Sequence, residues 1–260
     1  MHRHLPPSLA ARPVPAPLLL VLLLVLLLVL LLVLLLGACG SAAPRPADSA
    51  VAATAAGAAA VPRIPPPSLE PERSPDRYRV RFETSKGAFV VQVKRSLAPR
   101  GADRFHELVR IGYFTGVRFF RLVPNFVVQF GIHGDPAVNT LWDTAAIPDD
   151  PIRSSNADGT IAFAASGANT RATQLFINTG NNARKLDGQR VFSPFGSVVD
   201  GMAVVRALNA EYGEEPNPSR IVRQGNRYLQ QWFPALDSIV TAVIEPSVPT
   251  GDPPSRAPRE

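Results

Sequence analysis

The residues best placed to do chemistry are two arginines and a glutamine in an otherwise apolar run, Val117-Arg118-Phe119-Phe120-Arg121-Leu122-Val123-Pro124-Asn125-Phe126-Val127-Val128-Gln129-Phe130-Gly131. On a strand, side chains alternate between faces, so Phe119, Arg121 and Val123 share one side and Arg118, Phe120 and Leu122 the other. Each face carries one guanidinium among apolar groups. A half-sunk guanidinium needs a polar partner, and Gln129 supplies a carbonyl oxygen if the chain doubles back after Pro124. Such a pair offers charge-assisted hydrogen-bond donation. The plainer reading of either arginine is a stem laid over apolar neighbours with its head in water. His106 and His133 are isolated, with no serine or cysteine motif beside them, and read as surface or loop residues.

Composition narrows the classes further. The 260 residues carry 27 Lys+Arg against 21 Asp+Glu, a net charge of +6, with no block of like charges, so no nucleic-acid partner is expected. Four histidines and one cysteine, at no ligand spacing, argue against a metal site and exclude an intrachain disulfide framework.

These groups must be held by a fold that begins well into the chain. Residues 18–36 are nothing but Leu and Val, preceded by Arg3 and Arg12 and followed by Gly37-Ala38-Cys39. This is the order of a bacterial secretion signal, 1–38, with small residues before the cysteine as in a lipobox, which makes Cys39 the lipidation site and membrane anchor. An uncleaved transmembrane helix is the alternative, since 19 apolar residues nearly match the roughly 20 needed to span a bilayer. Either way the domain is expected in the cell envelope, facing the periplasm or exterior. Residues 39–76, rich in Ala and Pro, read as a disordered tether, and 247–260 as a disordered tail.

The remainder reads as many short strands. Arg77–Thr84 and Ala88–Val93 form a hairpin; Pro99 to about Gly112 is an amphipathic helix; Val117–Val123, Phe126–Phe130, Thr160–Ala165, Gln174–Asn178 and Phe195–Val199 are strands. Met202–Leu208 and Tyr228–Val243 read as two later helices, the second packing Tyr228, Leu229, Trp232, Phe233, Leu236 and Val240 on the core. This pattern favours an antiparallel barrel, closed or nearly so, over a βαβ sheet.

The segment from Phe119 to Gln129 resembles the F-x-R-[IV]-[IV]-P-x-F-x-x-Q signature of the cyclophilins, peptidyl-prolyl cis/trans isomerases. Gly159–Ala164, then Asn169-Thr170-Arg171-Ala172-Thr173-Gln174-Leu175-Phe176-Ile177, then Leu186-Asp187-Gly188 and Phe195–Met202 match further family motifs in order. The resemblance implies a mainly β fold, a closed eight-stranded antiparallel barrel capped by helices, over 77–213, followed by a helical C-terminal extension over 214–246. It implies Arg121 as the catalytic donor with Gln129 beside it. Phe126, Val127, Phe176 and Leu186 would line the proline pocket, and Ala164, Ala165 and Gln174 the peptide groove. It implies proline-containing polypeptides as substrates, no cofactor and a monomer.

The sequence departs from the family where a tryptophan and a histidine are usual: Lys185 and Arg190 stand there, as in a divergent bacterial branch. Two functions follow. One is an isomerase assisting the folding of exported proteins; the other is a non-enzymatic proline-peptide chaperone or scaffold on the same fold. Retention of Arg121 and Gln129 favours the first, because binding alone has little use for a donor aimed at the prolyl nitrogen.

Overall fold

The computed structural model describes residues 64–68 and 70–246. The expected signal sequence 1–38, Cys39, the first part of the expected tether and the expected tail 247–260 lie outside the described residues.

Eight antiparallel strands form one sheet: β1 (Arg77–Thr84), β2 (Gly87–Lys94), β3 (Arg121–Val123), β4 (Val127–Phe130), β5 (Thr160–Phe163), β6 (Leu175–Asn178), β7 (Gly196–Asp200) and β8 (Ile239–Ile244). Their spatial order is β3-β4-β6-β5-β7-β2-β1-β8. With them stand α1 (Pro99–Arg110), α2 (Pro136–Trp142), α3 (Ala183–Leu186), α4 (Met202–Arg206) and α5 (Pro218–Trp232). The sheet is a curled half-barrel. Among the described residues no ladder joins β3 to β8; a single bridge pairs Arg118 with Ser238, flanked by Phe119 N–H to Asp237 O (3.0 Å) and Ile239 N–H to Val117 O (2.8 Å).

Alternation in β1 buries Tyr78, Val80 and Phe82 and leaves Arg77 and Arg79 outside. Phe82 stacks on Phe89 of β2 at 4.8 Å, and Phe105, Phe114 and Phe130 complete an aromatic core. Such pairs each add about 0.5–1.5 kcal/mol beyond the area they bury. α1 turns Ala102, Phe105, Leu108 and Val109 inward, as its spacing predicts. Ala98 offers no capping group, so Asp150 takes that role and accepts the N–H groups of Arg100 (3.0 Å) and Gly101 (2.9 Å).

Three expectations need correction. The expected helix Tyr228–Val243 ends at Trp232, and Ile239–Ile244 is a strand. Pro234 disfavours helical geometry at Phe233, whose φ and ψ are −138° and 56°, and the β-branched run beyond pairs with the free edge of β1, Phe82 opposite Ala242. The C-terminal segment is therefore a helix plus a strand of the main sheet, and Val240 faces solvent. Trp232 is exposed too, while Tyr228, Leu229, Phe233 and Leu236 join Phe120, Ile132 and Ile221 in a second apolar cluster. Secondly, residues 64–68 and 70–76 are not a loose tether. Ile64 packs on the core, the Trp142 indole donates to Pro65 O (3.0 Å), and buried Ser74 bonds Asp103. Thirdly, α2 was unanticipated. Asp135 caps it by accepting Ala137 N–H (2.8 Å), with Pro136 in the first turn, a start signal short enough to pass for a loop.

Candidate active site

The β3–β4 hairpin does what the arginine and glutamine require. Its turn closes through Phe126 N–H to Val123 O (3.0 Å), with Asn125 at φ 58°, a left-handed value asparagine tolerates. The register places Arg121 opposite Gln129. Arg121 Nη1 donates to Gln129 Oε1 (3.2 Å), and Gln129 Nε2 donates on to Gln174 Oε1 (3.1 Å) on the neighbouring segment. Gly131 permits that approach, since a Cβ there would lie 2.3 Å from Thr173 O at a φ of 106°.

Beside this polar chain lies a third apolar cluster, separate from the main core. Val127, Ala162, Phe176 and Leu186 are its buried members, with Phe126, Ala164 and Phe192 packed on them. It lines an open cleft of about 250 Å³ that also receives Arg121, Gln129 and Ala165. A second cleft, about 300 Å³, shares Gln129, Ala164 and Ala165 and runs on past Gln174 to Thr170. The residues expected as donor, pocket and groove are thus brought together. The Arg121 guanidinium carbon sits 5.6 Å from the Phe126 ring centre, a cation held against an apolar wall.

Buried amides fix that wall. Asn182 Nδ2 donates to Phe126 O (2.7 Å) and to Asn178 Oδ1 (2.7 Å), so the backbone under Phe126 is held from α3. Asp187, just beyond Leu186, accepts from Asn156 N–H and Nδ2 (both 2.9 Å) and from Ser155 Oγ (2.7 Å). Slight burial pushes its carboxyl upward, but these hydrogen bonds outweigh that and hold it below the usual aspartate range. The groove loop hangs on Arg171, which is fully buried against Asp150 (3.1 Å) and Asp149 (3.3 Å).

Several members were not found from the sequence. Phe192 meets Phe176 edge-on at 5.6 Å and lines the same cleft. Glu214 pairs with Arg121, its Oε1 lying 2.6 Å from Nε and 2.5 Å from Nη2. Lys185 is exposed, with Nζ 4.9 Å from the Phe126 ring centre. Arg190 is exposed at φ 59°. Arg118, by contrast, donates to Leu236 O (3.1 Å) and ties down the C-terminal segment; burial lowers its affinity for a proton. His133 and His106 lie outside both clefts.

The fold and this cleft define a known class. The family model for cyclophilin type peptidyl-prolyl cis-trans isomerases matches residues 79–225, more than half the chain. The chain belongs to that family. Among its relatives, peptidyl-prolyl cis-trans isomerase-like 1 of Emericella nidulans is 34% identical over 135 residues, 50% of this chain and 80% of the relative. Peptidyl-prolyl cis-trans isomerase CYP18-2 of Arabidopsis thaliana is 34% identical over 149 residues, 55% of this chain and 86% of that protein. A crystal structure of a Cryptosporidium parvum cyclophilin type peptidyl-prolyl cis-trans isomerase aligns with a TM-score of 0.51 at 18% identity, over 66% of this chain and 99% of that one, which supports the fold.

Proposed function

We propose that this cyclophilin family member rotates X-Pro bonds of polypeptides outside the cytoplasm, with Arg121 as the donor and the Phe126–Phe176–Leu186 cleft as the proline pocket. The observation that carries the reading is the convergence of Arg121, Gln129 and a separate apolar cleft on one face. Rotation of an X-Pro bond is slow because amide resonance gives a barrier of roughly 18–20 kcal/mol. In the twisted state the prolyl nitrogen becomes pyramidal and gains a lone pair. A guanidinium N–H directed at it is worth more there than in the planar ground state, and this difference lowers the barrier. Gln129 holds Nη1, and the apolar wall fixes the ring while the preceding residue swings along Ala164, Ala165 and Gln174. The chemistry needs no group beyond these side chains.

The same proposal places the domain on the envelope of a bacterium, as a monomer anchored through a lipidated Cys39 after removal of 1–38. Its support is the order of basic start, Leu/Val run and Gly37-Ala38-Cys39. No helix among the described residues is long and apolar enough to cross a membrane. We further read the bridge between Arg118 and Ser238 as closing the curled sheet into a barrel in solution. A cis/trans proline-peptide assay tests the activity, and lipid labelling of wild type against Cys39→Ser tests the anchor. Mass spectrometry finding an intact N-terminus with a free Cys39 thiol refutes the anchor.

The binding-only reading draws its support from exposed Lys185 and Arg190, which replace a pocket wall and a peptide contact. Phe192 adds apolar wall to the cleft, which keeps the isomerase reading ahead.

A further inference from the structure

We infer that Glu214 is a positioning residue for the isomerisation, holding one edge of the Arg121 guanidinium so that another faces the peptide. The inference rests on the isomerase reading of the cleft.

The geometry assigns the donors one by one. A guanidinium has five N–H groups. Glu214 Oε1 accepts from Nε (2.6 Å) and lies 2.5 Å from Nη2, while Gln129 Oε1 accepts from Nη1 (3.2 Å). Two donors, on Nε and Nη1, are thereby engaged in hydrogen bonds, and Nη2 lies in ion-pair contact with the same carboxylate oxygen. The other N–H of Nη1 and the N–H groups of Nη2 have no hydrogen-bond partner among the described residues. A carboxylate on the side edge and an amide on Nη1 remove the freedom of a long side chain that is 30% exposed and also lies against the Phe126 ring. Arginine loses little further freedom per bond once its planar fork is set.

The backbone delivers Glu214 to this place. Leu122, the neighbour of Arg121, donates its N–H to Gly213 O (3.0 Å). Gly213 N–H bonds Ala210 O (3.1 Å) and Glu215 N–H bonds Tyr212 O (2.9 Å), a turn with Gly213 at φ 51°. Glu214 is therefore fixed relative to β3 by main-chain bonds that its side chain does not influence. At 61% exposure, its replacement should leave the fold intact. The result is a continuous chain, Glu214 to Arg121 to Gln129 to Gln174, along the cleft.

Carboxylate and amide separate the roles. Glu214→Ala removes the acceptor; Glu214→Gln keeps an oxygen in the same place without the charge. In the full chain, Glu214→Ala should lower kcat about fivefold, about 1 kcal/mol on the barrier, with KM within about twofold, and Glu214→Gln should restore at least about half of the loss. NMR relaxation of the Arg121 Nε–H should show it rigid in the wild type and in Glu214→Gln, and mobile in Glu214→Ala. Unchanged kcat in both variants, or faster turnover in both because the carboxylate competes with substrate, overturns the inference. An inactive wild type refutes the isomerase reading and with it any role in isomerisation; in an active wild type, equal Arg121 order in wild type and Glu214→Ala overturns the inference.

Discussion

Replacing Arg171 with methionine would separate what holds the groove from what acts in it. Arg171 has no exposed surface; it bonds Asp150 Oδ2 at 3.1 Å, lies 3.3 Å from Asp149 Oδ1 and donates to Pro148 O. The Asp150 carboxylate is itself wholly buried and caps α1. Methionine fills similar volume but strands that carboxylate, leaving it two backbone N–H groups and no opposite charge in contact. Removing one partner of a buried pair costs about 3–5 kcal/mol. For a domain of this size each kcal/mol moves Tm by about 2–4 °C, so a fall of roughly 6–20 °C is expected in thermal unfolding followed by circular dichroism. Asp150→Asn in the same chain should return part of the loss, since the amide oxygen can still cap α1 and the wholly buried charge is gone, leaving only the partly exposed Asp149 without its partner. KM should rise alongside, because the loop between Ala165 and Gln174 depends on this anchor. A Tm within about 2 °C of wild type would refute the buried-pair account, given the scaling above.

Other substitutions follow from the cleft and its supports. Phe192→Ala should raise KM for a proline peptide roughly tenfold with kcat little changed, since a buried aromatic contact at a binding hot spot is worth about 1–2 kcal/mol; unchanged KM would show that Phe192 does not meet the substrate. Asp187 is held below its unfolded value near 3.9, so its stabilising bonds to Ser155 and Asn156 are fully present above that pH and are lost as pH falls through the lower folded value. An Asp187→Asn chain should show less acid sensitivity of Tm below pH about 4; an identical acid profile would contradict that linkage.

The parts of the site that lie on one local stretch of chain were legible beforehand, and the parts brought in from afar were not. Arg121 and Gln129 belong to a hairpin whose turn, Pro124-Asn125, sets their register, so their pairing follows from local rules. The β1–β2 hairpin was equally plain, because a one-sided core imposes period two. The run after Tyr228 kept a helical spacing past the point where Pro234 stops the helix, and only the vacant edge of β1 turned Ile239–Ile244 into a strand. Ile64 and Pro65 sit in a low-complexity stretch whose role depends on an indole contributed by Trp142. Phe192 and Glu214 carry no motif; loops deliver both, and their function exists only in the contacts with Phe176 and Arg121.

The central claim, that Arg121 drives X-Pro rotation in this cleft, is tested most directly by comparing Arg121→Ala with Arg118→Ala in a proline-peptide isomerisation assay. Arg118 bonds Leu236 O and supports the bridge to Ser238, so its loss should lower Tm while leaving turnover of the folded protein close to wild type. Arg121→Ala should leave Tm nearly unchanged, as its ion pair with Glu214 is partly exposed and worth about 0–1 kcal/mol. Its turnover should fall at least about tenfold, corresponding to about 1.4 kcal/mol of lost barrier stabilisation. Full turnover in Arg121→Ala, or a wild type that does not accelerate the isomerisation, would contradict the account.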